Sequence, residues 1–572
     1  MIEIKEKIAE NIVDFLKEKG IDSDKEQIMA QFKKPEKSEF GDVAFPVFRY
    51  ARDFRKPPVE IAKDVKEYFD GKTLKEIEKI EVVNGYVNFY LSCKWMFDKI
   101  LSDLDKKKDD FYKTDILNGK TFVVEFSSPN IAKPFSIGHL RSTVIGNFLR
   151  NLLKTLGANV IGINHIGDWG TQFGKLIVAF KLWGNEKELE KNPVKYMLSL
   201  YVRFHKEAEE NPELEDKARE AFKRLEDGEE EERKLWQKFR DLSLKEFEKT
   251  YKRLNVHFDK VLGEAFYSDK IDRVIKILEE KNLLVESENA LVVKLDDYNM
   301  PPCLIKKSDG ATLYATRDIA AAIYRKETFD FDKMLYVVGS EQKLHFRQFF
   351  KVLELAGFEW AKDLEHIDFG LYRFKDGKMS TRKGKVILLE EVLDEAVNRI
   401  REIMNEKNPD LSEDERKEIA EILGTGAIIF NDLKNDRIKD VQFSWDEVLN
   451  FEGESGPYIA YSYVRCNGIL RNADSIDEGK NYMATHSSED ALIKKLFEFK
   501  EVLLKAFKNR KSHLIANYLL ELTKAFTSFY HNCRVVGEDS EVSSFRKTLV
   551  KLTMKTLKAG TDILGMRLPD RM

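Results

Sequence analysis

The chain has 572 residues, 42% hydrophobic and 34% charged, with a formal net charge of −4. That length is too great for one core and predicts three or four domains. The mild negative charge excludes indiscriminate nucleic-acid binding but leaves room for local basic patches. No apolar run reaches membrane-spanning length, and the start MIEIKEKIAENIV lacks a signal-peptide core, so no membrane partner and a cytoplasmic location are expected. Cys93, Cys303, Cys466 and Cys533 stand far apart without a CxxC pair. They read as buried apolar residues, and no metal site is predicted.

Residues 1–115 read as a small α+β domain. Amphipathic helices are expected over Ile4–Glu18 and Val59–Phe69, and IEVVNGYVNFYLS (80–92) alternates like a strand pair around Asn84-Gly85. The stretch TFVVEFSSPNIAKPFSIGHLRSTVIGNFLRNLLKTL (121–156) organises the rest of the chain. Its β-branched start predicts a buried parallel strand, and apolar residues spaced by three and four from Ile137 to Leu153 predict a helix. A second strand near Asn159 completes a β-loop-α-β unit, which binds nucleotides at the carboxyl end of its first strand. Gly138 removes a side chain where a phosphate or adenine approaches, and His139 is a donor near the positive helix end. An isolated Gly-His would read as a surface feature. The loop after the second strand holds His165, Asp168 and Trp169, and Asp168 is also a candidate helix cap.

Residues 181–299 read as a helical insertion ending in a hairpin at 283–295, with no chemistry assigned to it. Asp309-Gly310 then predicts a turn, Thr312–Ala315 a short strand, and Thr316 the N-cap of an alanine-rich helix carrying Asp318. MLYVVGSEQKLHFRQFF (334–350) predicts a strand, a loop with Gln342 and a helix from His345; HIDFGLYRF (366–374) predicts the last strand. The basic loop DGKMSTRKGKVI (376–387) comes next. From Leu389 the periodicity is helical throughout. Residues 491–572 hold sixteen Lys or Arg against eight Asp or Glu, a local +8 that fits a solvated helix face. Tyr458, Tyr461, Tyr463 and Tyr530 lie at spacings that usually mean core.

VEFSSPNIAKPFSIGHLRST resembles the HIGH region of class I aminoacyl-tRNA synthetases, in the form found in arginyl-tRNA synthetases. Lys378-Met379-Ser380-Thr381-Arg382-Lys383-Gly384 is similar to the KMSKS motif of the same class. Two departures stand out: Ser136 replaces the first His of HIGH, and Thr381 the second Lys of KMSKS. The resemblance implies a Rossmann-type α/β catalytic domain over 116–388 with the helical insertion, an additional tRNA-binding domain over 1–115, and an all-α stem and anticodon-binding domain over 389–572. It implies that L-arginine, ATP with Mg²⁺ and the arginine tRNA bind, and a monomer is expected. It assigns Lys133, His139, Lys378, Arg382 and Lys383 to catalysis, and Ser136, Gly138, His139, His345, Lys378, Met379 and Ser380 to ATP. Arginine is assigned to Glu125, Ser127, Asn130, Tyr314, Asp318 and Gln342, where a permanent five-donor cation wants carboxylates. Tyr458, Tyr461, Tyr530 and Met572 are assigned to anticodon-loop nucleotides, where unpaired bases stack on aromatic rings. In that family enzymes lacking the second KMSKS lysine carry one upstream of HIGH, the place of Lys133. Two other readings remain open: a catalytically silent tRNA-binding relative, and a ligase of the same fold for another amino acid.

Overall fold

The β-branched run Thr121–Glu125 forms strand β1, buried on both faces from Phe122 onward. In this computed structural model every residue is described except 1, 36, 289, 308–313, 375–386, 408–410 and 474. After β1 come helix α1 (Gly138–Thr155) and strand β2 (Asn159–Asn164). The insertion contributes helix α2 (Glu230–Arg253), then strand β3 (Lys260–Val261). Helix α3 (Tyr314–Phe329), strand β4 (Lys333–Gly339), helix α4 (Lys343–Leu355) and strand β5 (Leu364–Phe369) complete the domain's sheet and its covering helices. The sheet order is β5-β4-β1-β2-β3, and every pairing in it is parallel. The chain runs outward from β1 in one direction and from β4 in the other, so the reversal falls between β1 and β4. Ligands of doubly wound sheets bind at that reversal, beyond the strands' carboxyl ends.

Helix α1 lies under this end of the sheet, with Leu140, Phe148 and Leu152 fully buried. Burying each such side chain contributes roughly 1.5–3 kcal/mol, which outweighs the weak helix propensity of the Ser142-Thr143-Val144-Ile145 run.

Three expectations are corrected. Tyr314 and Ala315 begin α3 rather than ending a strand, and Thr316 is not its cap: its hydroxyl donates to the Ile305 carbonyl at 2.5 Å from within the helix. HIDFGLYRF is two strands, because β5 stops before Gly370 and strand β6 (Tyr372–Phe374) leaves the sheet to pair with strand β7 (Val441–Phe443). A Cβ on Gly370 would stand 2.7 Å from the Lys439 carbonyl carbon, so the break needs glycine. β7 also interrupts the helical run predicted from Leu389. The expected turn at Asp309-Gly310 and the basic loop lie outside the described residues. The expected hairpin is present as Leu284–Ser287 with Ala290–Val293, which Cys303–Lys306 extends to three antiparallel strands.

By its internal contacts the chain forms two units. The one just described is Lys113–Val464 with Ala506–Leu519 and Lys558–Met572. The other gathers Met1–Tyr112, Arg465–Lys505 and Leu520–Leu557. In it Val43–Pro46, Tyr86–Leu91 and Ile77–Val83 form an antiparallel sheet in that order. Phe97 packs on Phe545 at 5.1 Å, and buried Glu489 holds Arg546 at 2.7 Å. All four cysteines are free and buried, and burial pushes the Cys93 and Cys303 thiols up to about 12.

Candidate active site

The loop leaving β1 is bent against its preferences. Ser127, Ser128 and Ala132 all have positive φ, at 72°, 51° and 60°. Each left-handed non-glycine residue costs about 1–2 kcal/mol, so the loop persists only because its surroundings impose it. The Ser127 N–H donates to Ser142 Oγ at 2.9 Å, and that hydroxyl donates to the Val337 carbonyl at 2.7 Å. The Ser128 N–H donates to Asn164 Oδ1 at 3.2 Å, and the Ala132 N–H to Ser243 Oγ on α2 at 3.0 Å. Asn130 is exposed and sits over Gly167, with its Oδ1 2.0 Å from where a Cβ on Gly167 would stand. The Ser127 hydroxyl is buried, 2.9 Å from the Tyr251 hydroxyl, and accepts from Thr143 at 2.8 Å.

The residues assigned to ATP begin at the first turn of α1. The Ser136 N–H reaches His139 Nδ1 at 3.1 Å, and since that N–H only donates, Nδ1 accepts and Nε2 carries the proton. Burial holds the imidazole below its ordinary range, with the Lys133 ammonium adding to the shift against the Ser136 backbone. His139 is therefore neutral at neutral pH and presents one N–H. Among the described residues a Cβ on Gly138 would meet only Ser136 Oγ, at 3.5 Å. Lys133 is exposed. The Ile137 N–H donates to the Ile387 carbonyl at 3.0 Å and the Leu389 N–H to the Phe135 carbonyl at 2.9 Å, joining the chain after the basic loop to the turn that carries His139. Lys378, Met379, Ser380, Thr381, Arg382 and Lys383 lie outside the described residues.

On the amino-acid side Tyr314, Asp318 and Arg325 share one face of α3. Tyr314 is 66% exposed, Asp318 is half-buried and Arg325 is fully buried, so the face grades from solvent to core. Asp318 Oδ2 lies 2.6 Å from His345 Nε2, bringing together two residues assigned to different substrates. Glu125, at the end of β1, is paired by the Arg325 guanidinium. Gln342 is exposed in the turn before α4. Asp168 does not cap a helix; buried, it accepts from the Ala265 N–H at 2.9 Å and from Arg240 at 3.2 Å.

Sequence reasoning missed Glu264. β3 returns the insertion to the sheet, and the residues after it place Glu264 beside this cleft, paired with Arg317 at 3.2 Å. Burial first, then the neighbouring Asp318 and Asp168, push its carboxyl up to about 7, against the pull of His165 and Arg317. The only signal was the short apolar pair of VLGE (261–264) before its glycine, which a long charged helical stretch obscures.

Tyr461 and Tyr530 are 43% and 40% exposed, so neither is core, while Tyr458 and Met572 are half-buried. The Arg465 guanidinium lies 4.7 Å from the Tyr530 ring centroid.

A family model described as "tRNA synthetases class I (R), catalytic domain" matches residues 100–445, a "DALR anticodon binding domain" matches 459–572, and an "Arginyl tRNA synthetase N terminal domain" matches 3–91. The parallel sheet, with its reversal at β1 and β4 and the SIGH turn beside it, is thus the catalytic fold of a class I tRNA synthetase. A curated arginine–tRNA ligase of Clostridioides difficile is 47% identical over 98% of this chain and 99% of its own length. One of Halothermothrix orenii is 46% identical over the full length of both. The solved Thermus thermophilus arginyl-tRNA synthetase superposes with a TM-score of 0.79 at 26% identity, covering 98% of this chain and 99% of that one. Within its class, the chain belongs to the arginyl-tRNA synthetase family.

Proposed function

We propose that the chain joins L-arginine to the 3′ end of its tRNA at the expense of ATP. The observation that carries this reading is the acidic group around α3: Glu125 pairs with Arg325 of α3, Asp318 lies on the same helix, and Glu264 pairs with Arg317 beside it. The loop that leaves Glu125 passes Lys133 and leads to the helix turn with Ser136, Gly138 and His139. A small apolar amino acid would need no such cluster of acids.

An arginine carboxylate oxygen attacks the α-phosphorus of ATP, the bond to the bridging oxygen breaks, and pyrophosphate leaves. A ribose hydroxyl of the terminal adenosine then attacks the adenylate carbonyl and AMP departs. No side chain becomes covalent, and catalysis is positioning plus charge neutralisation. In this scheme His139 Nε2–H and Lys133 act on the phosphates with Lys378, Arg382 and Lys383. Ser136, His345, Met379 and Ser380 complete the ATP site. Asp318 takes the guanidinium with Tyr314 and Glu264. Glu125, Ser127, Asn130 and Gln342 form the floor and the α-amino end. Among the described residues no group of three His, Cys, Asp or Glu is placed to hold a metal. Magnesium would accompany ATP on its triphosphate and would offset charge there.

The exposed rings of Tyr461 and Tyr530 support anticodon-loop stacking, shared with Tyr458 and Met572. Residues 1–115, 116–388 and 389–572 divide the labour as additional tRNA-binding, catalytic and anticodon-binding domains. In this reading the enzyme is a cytoplasmic monomer. No helix among the described residues is long and apolar enough to cross a membrane. Aminoacylation with arginine and arginine tRNA tests the reading, together with ATP–pyrophosphate exchange, expected only when tRNA is present. Charging with a different amino acid, or none with any, would overturn it.

A further inference from the structure

The three carboxylates of the amino-acid side each have a partner, and the pairs differ in how far water reaches them. The His345 and Asp318 side chains are 24% and 22% exposed, and those of Arg317 and Glu264 are both 13% exposed. The Arg325 side chain is 0% exposed and that of Glu125 7%. Arg325 is also held by two acceptors. Its Nη1 donates to Glu125 Oε2 and its Nε to the Tyr267 hydroxyl at 3.1 Å, while its Nη2 stands 3.2 Å from His165 Nδ1, which is itself 2.9 Å from the Leu262 carbonyl. Tyr336 lies opposite Glu125 in the β4–β1 register, and its buried hydroxyl has no partner among the described residues. Breaking this pair would strand a buried charge, whereas the partners of Asp318 and Glu264 can swing into water.

We infer that Arg325 is a positioning residue for arginine: it locks and neutralises Glu125 as the floor of the cleft, so that Asp318 and Glu264, whose partners exchange for the incoming guanidinium, carry the selecting charge. The inference rests on the proposed arginine activity. Glu125 and Arg325 together add no net charge, so Glu125 Oε1 remains as an oriented acceptor rather than a second anionic pole. Oriented acceptors fix the pose of a ligand, while uncompensated anions set its affinity.

The test is the Michaelis constant for arginine, with that for ATP as control, in tRNA aminoacylation by the full-length enzyme. In Arg325→Met, Glu125 loses the guanidinium that pairs and orients it, leaving an unmatched buried carboxyl group. The arginine KM should rise about tenfold or more, with the ATP KM within about twofold. Arg325→Lys keeps the charge and should restore most of the wild-type arginine KM. Glu125→Gln leaves Arg325 uncompensated and should raise the arginine KM. Glu125→Gln combined with Arg325→Met should recover about tenfold relative to Glu125→Gln alone, because the floor is neutral again.

The inference is overturned if Arg325→Met leaves the arginine KM unchanged or raises the arginine and ATP constants together. If that variant fails to fold, Arg325→Lys and Glu125→Gln still decide: a Lys variant that shifts ATP and arginine equally marks Arg325 as merely structural, and so does a Gln variant that leaves the arginine KM unmoved. A wild-type enzyme that uses no arginine at any pH would overturn the functional reading, and this inference with it.

Discussion

The two ends of the cleft handle charge in opposite ways. At the end assigned to the phosphates Lys133 is exposed, and among the described residues a Cβ on Gly138 would meet only Ser136 Oγ, so the ammonium stands in water. At the amino-acid end every carboxylate is already matched: Glu125 with Arg325, Asp318 with His345, Glu264 with Arg317. Burial explains the difference. A hydrated ammonium stands alone at little cost, but a carboxylate in a half-buried pocket needs a counter-charge or takes up a proton. In the proposed scheme ATP adds to the first end, whereas arginine replaces groups already in place at the other.

Substitutions at the two ends should separate accordingly. Lys133→Ala should have the largest effect, lowering single-turnover adenylation with tRNA bound by about 10²-fold or more, the scale of a lost preorganised charge. Equal losses of arginine and ATP affinity with the chemical step intact would break the assignment of Lys133 to the phosphates. Asp318→Asn should raise the arginine KM by about tenfold or more while leaving the ATP KM nearly unchanged, because a charge-assisted contact contributes about 1.5–3 kcal/mol. Arginine kinetics indifferent to that change would remove Asp318 from the guanidinium.

Next in size is a pH effect unique to the matched end. With its carboxyl raised to about 7, Glu264 is protonated in acid, and arginine must expel that proton to bind. Apparent arginine affinity should rise by up to about tenfold per pH unit below 7 and level above it, the sign expected of a raised acid binding a cation. Glu264→Gln should flatten that slope; a slope that survives belongs to another group. Ser136→Ala should have the smallest effect, about tenfold or less on adenylation, one neutral hydrogen bond beside the His139 ring. If it exceeds Lys133→Ala, the serine carries the phosphate and Lys133 is only a loop cation.

The phosphate end was the more legible in the sequence. Strand, loop and helix succeed one another within 121–156, so periodicity alone placed Gly138 and His139 at the turn beyond β1. The amino-acid end was only half legible. Family resemblance pointed to Glu125 and Asp318, but their partners come from far along the chain: Arg325 is 200 residues from Glu125. Local pattern carries no trace of such a pair. The same distance hid the break at Gly370, since β7, which draws β6 out of the sheet, lies some seventy residues on. Glu264 was lost because a two-residue strand after a long charged helix has no periodicity to read. For Tyr461 and Tyr530 pattern alone was silent, because helical spacing says that residues share a face, not whether that face meets water.

The position of β1 also sets a timetable for synthesis. It is the middle strand, yet the partner on one side, β4, begins at Lys333, opposite Phe122, 211 residues later (333 − 122). At about 5–20 residues per second, roughly 10–40 s pass during translation with that edge bare. A bare edge of Phe122, Val123 and Val124 is a template for the wrong partner. Nascent chains halted before Lys333 should therefore depend on a holding chaperone to stay unaggregated, and chains halted after Phe369 should depend on it far less.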